Sequence, residues 1–330
     1  MAIGLIQIDG KLPNLALMKI SNFYKRTGEM VEFVVPGRTY EKVYASVLFS
    51  WNRDKALEWA RVYPDLEVGG TGYDIHKTLP PEIDAMSPDY DLYTVEQVAA
   101  QIRHGIRSKE STLHKAQDIV NMGIGFTSRG CFRNCAFCVV PKKEGQLRQE
   151  NKLADLINPR SNIVTLYDNN LTADPDCLEK LNEIKQRQLV IDISQGIDIR
   201  ILKEEQAKAL SEVKHLRSIH YAWDLMEYEA PVLAGIKRLS KYIKPYRQMC
   251  FCLVGFNTTR EEDMARIRKL AEMDVKPYVM KYNNCKSDPW LNHFARWVNG
   301  HFYKTCSFDE YLPWIKQQEK EEGCMDLFAS

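Results

Sequence analysis

From residue 122 onward the chain repeats one pattern six times: an apolar, β-branched run, then a segment of helical character. The runs are GIGFTS, NIVTLYD, LVIDISQ, SIHYAWD, MCFCLVG and KPYVMKY. Helical periodicity is expected between them at 174–187, 203–214, 228–243 and 259–273. Strands alternating with helices must run parallel, because each helix carries the chain back across the sheet. Six such units give a partial (βα)6 barrel. In a parallel barrel, chemistry sits at the strand carboxyl ends and in the loops after them. Alternate strand residues face inward. That rule sets Asp192 and Ser194 on the inner face of the third run, and His220 and Asp224 together on one face of the fourth. Charged groups there would be costly in a packed core, since burial without partners costs several kcal/mol. A polar lumen holding a charged cofactor accounts for them.

The N-terminal region follows the same logic in a smaller unit. IGLIQID, MVEFVVP, KVYASVLFS and LEVGG read as strands, with helices over Leu15–Arg26 and Trp51–Val62. The pattern implies a parallel α/β sheet covered on both faces. The turn GGTG (Gly69, Gly70, Gly72) follows the last strand, at the edge where such sheets bind ligands. The expected domains are therefore 1–95 (Rossmann-like sheet), 96–121 (helical linker), 122–285 (partial barrel) and 286–330 (helical extension). In the last, helices are expected near 292–300 and 307–322.

The run GFTSRGCFRNCAFCVVPKKEG holds Cys131, Cys135 and Cys138 in C-x3-C-x2-C spacing. Three thiolates this close can hold three irons of a [4Fe-4S] cluster and leave the fourth open for chemistry. Ferredoxin clusters, with C-x2-C-x2-C spacing, are fully ligated and only carry electrons. The alternatives are a structural zinc site or buried free cysteines. A fourth zinc ligand at suitable spacing is missing, and Arg129, Arg133, Lys142 and Lys143 suit an anionic cluster. The other six cysteines carry no second signature. Cys250 and Cys252 share a strand face, and Cys177, Cys285, Cys306 and Cys324 are scattered. They read as small buried apolar residues, with Cys324, in the tail EEGCMDLFAS, set apart by its position.

The 45 basic and 44 acidic residues leave a formal charge of +1, so charge alone gives no support for a nucleic-acid partner. The first apolar run is broken by Asp9, and no run reaches the length of a membrane span. Nine cysteines without a recognisable signal peptide fit a reducing cytoplasm.

The cysteine loop and the strand–helix series resemble the radical S-adenosylmethionine (SAM) enzymes. The resemblance implies that the open iron is chelated by the amino and carboxylate groups of SAM. The reduced cluster then cleaves SAM to methionine and a 5'-deoxyadenosyl radical. It also implies an external electron donor of flavodoxin or ferredoxin type. It assigns Phe137 to the place where the backbone meets adenine, and Asp168 with Asn169 to the SAM ammonium or ribose. Asn170 shares that position, and an Asx turn or helix cap is the competing reading for both asparagines. Arg200, in QGIDIRIL, matches the SAM carboxylate, against a surface Arg pairing with Glu204. Asp224 matches ribose hydroxyls. Gly255 matches a close approach to adenine, and Tyr278 to Tyr282, Met280 included, the other adenine contacts, with core packing as the alternative for Met280 and Tyr282.

The N-terminal unit resembles the cobalamin-binding Rossmann-type domain in its phrases Leu12-Pro13-Asn14-Leu15 and GGTG. The cobalt-ligating D-x-H-x-x-G is absent where the third strand ends in FSWNRD, and His76 is better read as a surface or packing histidine. Cobalamin is therefore not favoured, and Trp51 and Tyr73 are expected to fill the groove. The reaction expected is methyl or methylthio transfer, or rearrangement, on a nucleic acid or peptide. A small metabolite, a cobalamin-dependent methyltransferase and a non-catalytic cluster carrier stand as alternatives.

Overall fold

The computed structural model describes residues 2–102, 108–282 and 287–318. In chain order the elements are β1 (Ala2–Gln7), α1 (Leu15–Arg26), β2 (Met30–Phe33), β3 (Lys42–Ser46), α2 (Arg53–Val62), β4 (Leu66–Gly69), α3 (Pro81–Asp84), α4 (Val95–Ile102), α5 (Lys109–Asn121), β5 (Gly123–Gly125), β6 (Ser128–Arg129), α6 (Val140–Lys143) and β7 (Arg148–Gln149). There follow β8 (Ile163–Leu166), α7 (Cys177–Gln186), β9 (Val190–Ile193), α8 (Glu204–Glu212), β10 (Lys214–His215), β11 (Ile219–Ala222), α9 (Glu229–Ser240), β12 (Gln248–Val254), α10 (Arg260–Glu272), β13 (Lys276–Lys281) and α11 (Pro289–Asn299). A last helical segment covers 312–318. The fold is mixed α/β, and each of the six expected strand–helix units is present in order. No helix among the described residues is long and apolar enough to cross a membrane. Cys285 and Cys324 lie outside the described residues.

Two compact units are formed. The first takes residues 1–133, 139–169 and 186–192; the second takes 134–138, 170–185 and 193–330. In the first unit the N-terminal sheet has order β2-β1-β3-β4, all parallel. Alternation decides which face each side chain serves. Ile3, Leu5 and Tyr44 enter one core with Leu17, Met18 and Ile20 of α1, while Ile6, Val43 and Ala45 enter another with Ala56 of α2. The first core also takes Val98 and Ala99 of α4, Ala116, Ile119 and Val120 of α5, and Ile124 of β5. The segment expected as a linker is thus core-forming. In α1 the N-cap is Asn14, whose side chain accepts from Leu17 N at 3.2 Å and donates to Ser46 Oγ at 2.8 Å. That accounts for the Leu12–Leu15 phrase by capping and cross-strand anchoring. Beyond this sheet, β5, β8 and the Val190–Asp192 part of β9 lie side by side.

The second unit is built on β11, β12 and β13, again parallel and adjacent in sequence order. Along β12, Gln248, Cys250, Cys252 and Val254 are buried while Met249, Phe251 and Leu253 are only half-buried. Buried and exposed positions alternate on β13 too: Val279 is buried, whereas Tyr278 and Met280 are 40% and 49% exposed. A parallel sheet normally has both faces covered. Here helices cover one face, and the other presents a row of rings. His220 lies 5.2 Å from Phe251, which meets Tyr278 edge-on at 5.7 Å.

Candidate active site

In the first unit, the cysteine loop is closed at its base by the antiparallel pairs Ser128↔Gln149 and Arg129↔Arg148. Gly130 sits at φ 91°, and a Cβ there would lie 2.3 Å from Gln146 O, so only glycine admits this crossing. Cys131 N donates to Gly145 O at 3.1 Å. The carboxyl end of β8 holds the same loop. Asp168 is fully buried and accepts from Thr127 N (2.7 Å), Ser128 N (2.8 Å), Ser128 Oγ (2.8 Å) and Thr127 Oγ1. Burial pushes its pKa up against those four donors. Asn169 Oδ1 accepts from Gly130 N at 2.8 Å. The two residues expected at the SAM ammonium or ribose anchor the loop that carries Cys131. Asn170 is a cap, accepting from Ala173 N at 3.2 Å, as its alternative reading had it.

Arg129, expected to serve an anionic cluster, is instead neutralised by carboxylates. It meets Asp84 at 3.1 Å, Glu150 at 3.2 Å and Glu144 at 3.7 Å, and its guanidinium lies 4.3 Å from the Phe126 ring. Asp84 is shared with the buried Lys19. Burial opposes the Asp84 charge, but Lys19 and Arg129 win and hold its pKa below the usual value. Close to the first cysteine, Arg133 N donates to Cys131 Sγ at 3.4 Å. An N–H aimed at sulfur stabilises thiolate character. Asp192 is buried near Tyr167, whose pKa is pushed to about 12 by burial and then by that carboxylate.

The second unit holds Cys135 and Cys138, linked by a turn in which Cys138 N donates to Cys135 O at 3.0 Å. Phe137 sets its ring edge-on to Phe256 at 5.5 Å, and Phe256 meets Tyr282 at 4.8 Å. Arg200 is mostly buried. Its Nε and Nη2 donate to the two oxygens of Asp198 at 2.7 and 3.2 Å, and its guanidinium lies 4.7 Å from the Tyr228 ring. Burial opposes its charge; Asp198 and, more weakly, Cys135 and Asp224 outweigh that and raise its pKa. The Glu204 pairing weighed for Arg200 is made by Lys241 instead. Asp224 titrates at about 6, raised by burial and held down by Arg200 and Arg266. Cys135, Arg200 and Asp224 thus form one electrostatic neighbourhood.

The remaining expected residues lie in this unit. The Ser194 hydroxyl oxygen is buried with no hydrogen-bond partner. Gly255 takes φ 77° at the end of β12, so the turn itself calls for glycine. Met280 is on the open face of the sheet. Cys177, Cys250 and Cys252 are buried packing residues. Among the described residues no group of three His, Cys, Asp or Glu side chains converges as a metal site. The donor set of the loop fits an iron–sulfur cluster by chemistry: three thiols, soft ligands suited to iron–sulfur sites, one of them already receiving an N–H.

Two groups escaped the sequence reading. Asp198 orients Arg200. Arg266, on α10, is entirely buried at the ends of β11 and β12. Its signal was a charged i,i+3 pair, Asp263 and Arg266, on the helix face that also carries Ile267 and Leu270.

No protein-family model and no curated protein matches the chain. Among solved structures it is similar to SuiB of Streptococcus suis. It is 12% identical to SuiB bound to the precursor peptide SuiA, over 66% of this chain and 54% of that one, with a TM-score of 0.36. It is 13% identical to SuiB bound to S-adenosylmethionine, over 66% and 52%, with a TM-score of 0.35. The chain spans about half the length of those SuiB chains.

Proposed function

We propose that this chain is a radical SAM enzyme, initiating radical modification of a substrate by reductive cleavage of SAM. The observation that carries the reading is the three-cysteine loop, fixed at its base by Asp168, Asn169 and Gly130, with a charged pair suited to SAM near Cys135. Cys131, Cys135 and Cys138 would hold a [4Fe-4S] cluster. Such a cluster, when bound, would supply the electron for reductive cleavage of SAM.

The chain's own residues do the rest. Asp198 takes two N–H groups of Arg200 and so fixes the fork, leaving Nη1 to meet the SAM carboxylate. Asp224, ionised above pH 6, accepts from ribose hydroxyls. Phe137, Phe256, Tyr282 and Met280 supply apolar surface for adenine. Asp168 and Asn169 have a supporting role: they hold the Cys131 segment still. The open face of β11–β13, with His220, Phe251 and Tyr278, offers room for substrate and a dry wall against loss of the radical. A flavodoxin- or ferredoxin-type donor is the reductant in this reading. The transformation of substrate is methyl or methylthio transfer, or rearrangement.

Cobalamin stays outside the reading, because Asp9 already occupies the carboxyl edge of the N-terminal sheet. Its oxygens accept from Leu48 N at 2.7 Å and Phe49 N at 3.0 Å. The decisive test is anaerobic reconstitution with iron and sulfide, then dithionite and SAM. Formation of 5'-deoxyadenosine and methionine supports the proposal; a reduced cluster that leaves SAM intact favours a non-catalytic carrier.

A further inference from the structure

Arg266 of α10 is the largest charged side chain wholly withdrawn from solvent in this protein's described residues. Its Nη1 donates to Trp223 O at 2.5 Å and Asp224 O at 2.8 Å, just past β11. Its Nη2 donates to Leu253 O at 2.8 Å, near the end of β12, and to Asp263 Oδ1. One guanidinium therefore ties two neighbouring strand ends to a helix, while its Nε makes no hydrogen bond. The partner, Asp263, is 2% exposed and also accepts from Thr258 Oγ1 at 2.8 Å. A buried ion pair is weak evidence for stability, because well-packed apolar residues often do as well or better. What apolar residues cannot do is bridge three carbonyls with fixed geometry.

We infer that Arg266 is a positioning residue for the cofactor site: it sets the backbone of Asp224 and of the Gly255 turn so that both face one ligand. This rests on the SAM reading above and extends it to a residue outside any recognised motif. The backbone contacts lie at Trp223, Asp224 and Leu253, immediately around the two residues concerned. Electrostatics agree. The groups acting on the Asp224 carboxyl are Arg200 and Asp198 from the loop after β9, Arg266 from α10 and the backbone of Leu253. Cys250, on β12, feels the Asp224 charge in turn. Lysine keeps the charge but not the fork; glutamine keeps neither.

The test compares Arg266→Lys and Arg266→Gln with Leu270→Ala, a buried residue one turn along α10 that touches none of these carbonyls in the contacts described. Two quantities are read: SAM affinity of the reconstituted protein by calorimetry, and the Asp224 midpoint in SAM-free protein by NMR of 13C-labelled aspartate. Both Arg266 variants are expected to bind SAM roughly tenfold or more weakly, the scale of losing hydrogen bonds to a charged group. Arg266→Gln should also move the Asp224 midpoint upward. Leu270→Ala should lower thermal stability while leaving both readings within twofold or unmoved. Wild-type SAM affinity in the Arg266 variants, or an equal loss in Leu270→Ala, overturns the inference. If the wild-type protein binds no SAM, the SAM reading fails by itself. The SAM-free titration then still decides: an Asp224 midpoint unchanged by Arg266→Gln overturns the positioning role.

Discussion

Two parallel sheets in this protein end in carboxyl edges of the kind that bind ligands, and they differ in what fills them. The N-terminal sheet reverses strand order between β1 and β3, the place where a crevice should open. There Asp9 caps the turn after β3, taking Leu48 N, Phe49 N and Asn52 Nδ2. Two of the GGTG glycines serve the same closure: a Cβ on Gly72 would lie 2.5 Å from the Phe49 backbone, and one on Gly70 would lie 2.3 Å from Val47 O. Trp51, expected to plug the groove, stacks on Phe49 and stands 67% exposed, while Tyr73 lies under Arg53. The β11–β13 sheet does the reverse. At its edge stands an anion whose pKa burial raises, Asp224, which feels the cation Arg200 from the loop after β9, and on its open face Tyr278 and Met280 are exposed. Topology nominates both edges; among the described residues the second is the one beside the Arg200 and Asp224 charges.

The comparison breaks most completely at the cysteines. Replacing Cys131, Cys135 and Cys138 by alanine should abolish the visible thiolate-to-iron absorption and all 5'-deoxyadenosine formation. An intact spectrum in the triple variant would refute the cluster assignment. Next comes Asp224, whose folded pKa of about 6 lies above its usual 3.8. A raised carboxyl pKa means that the fold prefers the neutral acid. Its stabilising contribution is complete below pH 3.8 and is lost as pH rises through 6. Asp224→Asn should therefore stabilise SAM-free protein at pH 8 by about 3 kcal/mol and change little near pH 4. The same variant should weaken SAM binding, and wild-type affinity should fall as pH drops through 6. Denaturant melts at the two pH values check the first statement, and calorimetry checks the second. Equal melts at both pH values would remove Asp224 from the contrast.

Much of this contrast was legible in sequence, and the reasons for the rest are physical. Period-two and period-3.6 patterns located the strands and most helices, because burial of one face dictates them. The cysteine loop was legible because ligand chemistry demands residue type and spacing together. The anchoring role of Asp168 was not legible because sequence gives an acidic residue at a strand end without saying which donors reach it; Thr127 and Ser128 lie about forty positions away. Arg129 was misassigned for the same reason, since Asp84 and Glu150 approach it from opposite directions along the chain. Arg266 was missed because a helical Arg reads as solvated. Only the tertiary fold brings three strand-end carbonyls to it.

The smallest effect concerns the closed edge. Asp9→Ala removes a carboxylate from two backbone N–H groups and the Asn52 side chain, a capping loss of about 1–2 kcal/mol. SAM cleavage should stay at the wild-type rate, because none of these contacts belongs to the cysteine loop or to the Arg200 neighbourhood. Removing Asp9 also leaves the Gly70 and Gly72 crossings in place, so the groove stays shut to a bulky cofactor. Wild-type protein and Asp9→Ala, each expressed with abundant cobalamin and its uptake machinery, should therefore both purify without a corrinoid spectrum. A stoichiometric corrinoid in the wild type would reverse the reading of this edge and make methyl transfer the leading reaction. A corrinoid in Asp9→Ala alone would identify the carboxylate, not the glycine crossings, as what keeps the edge closed.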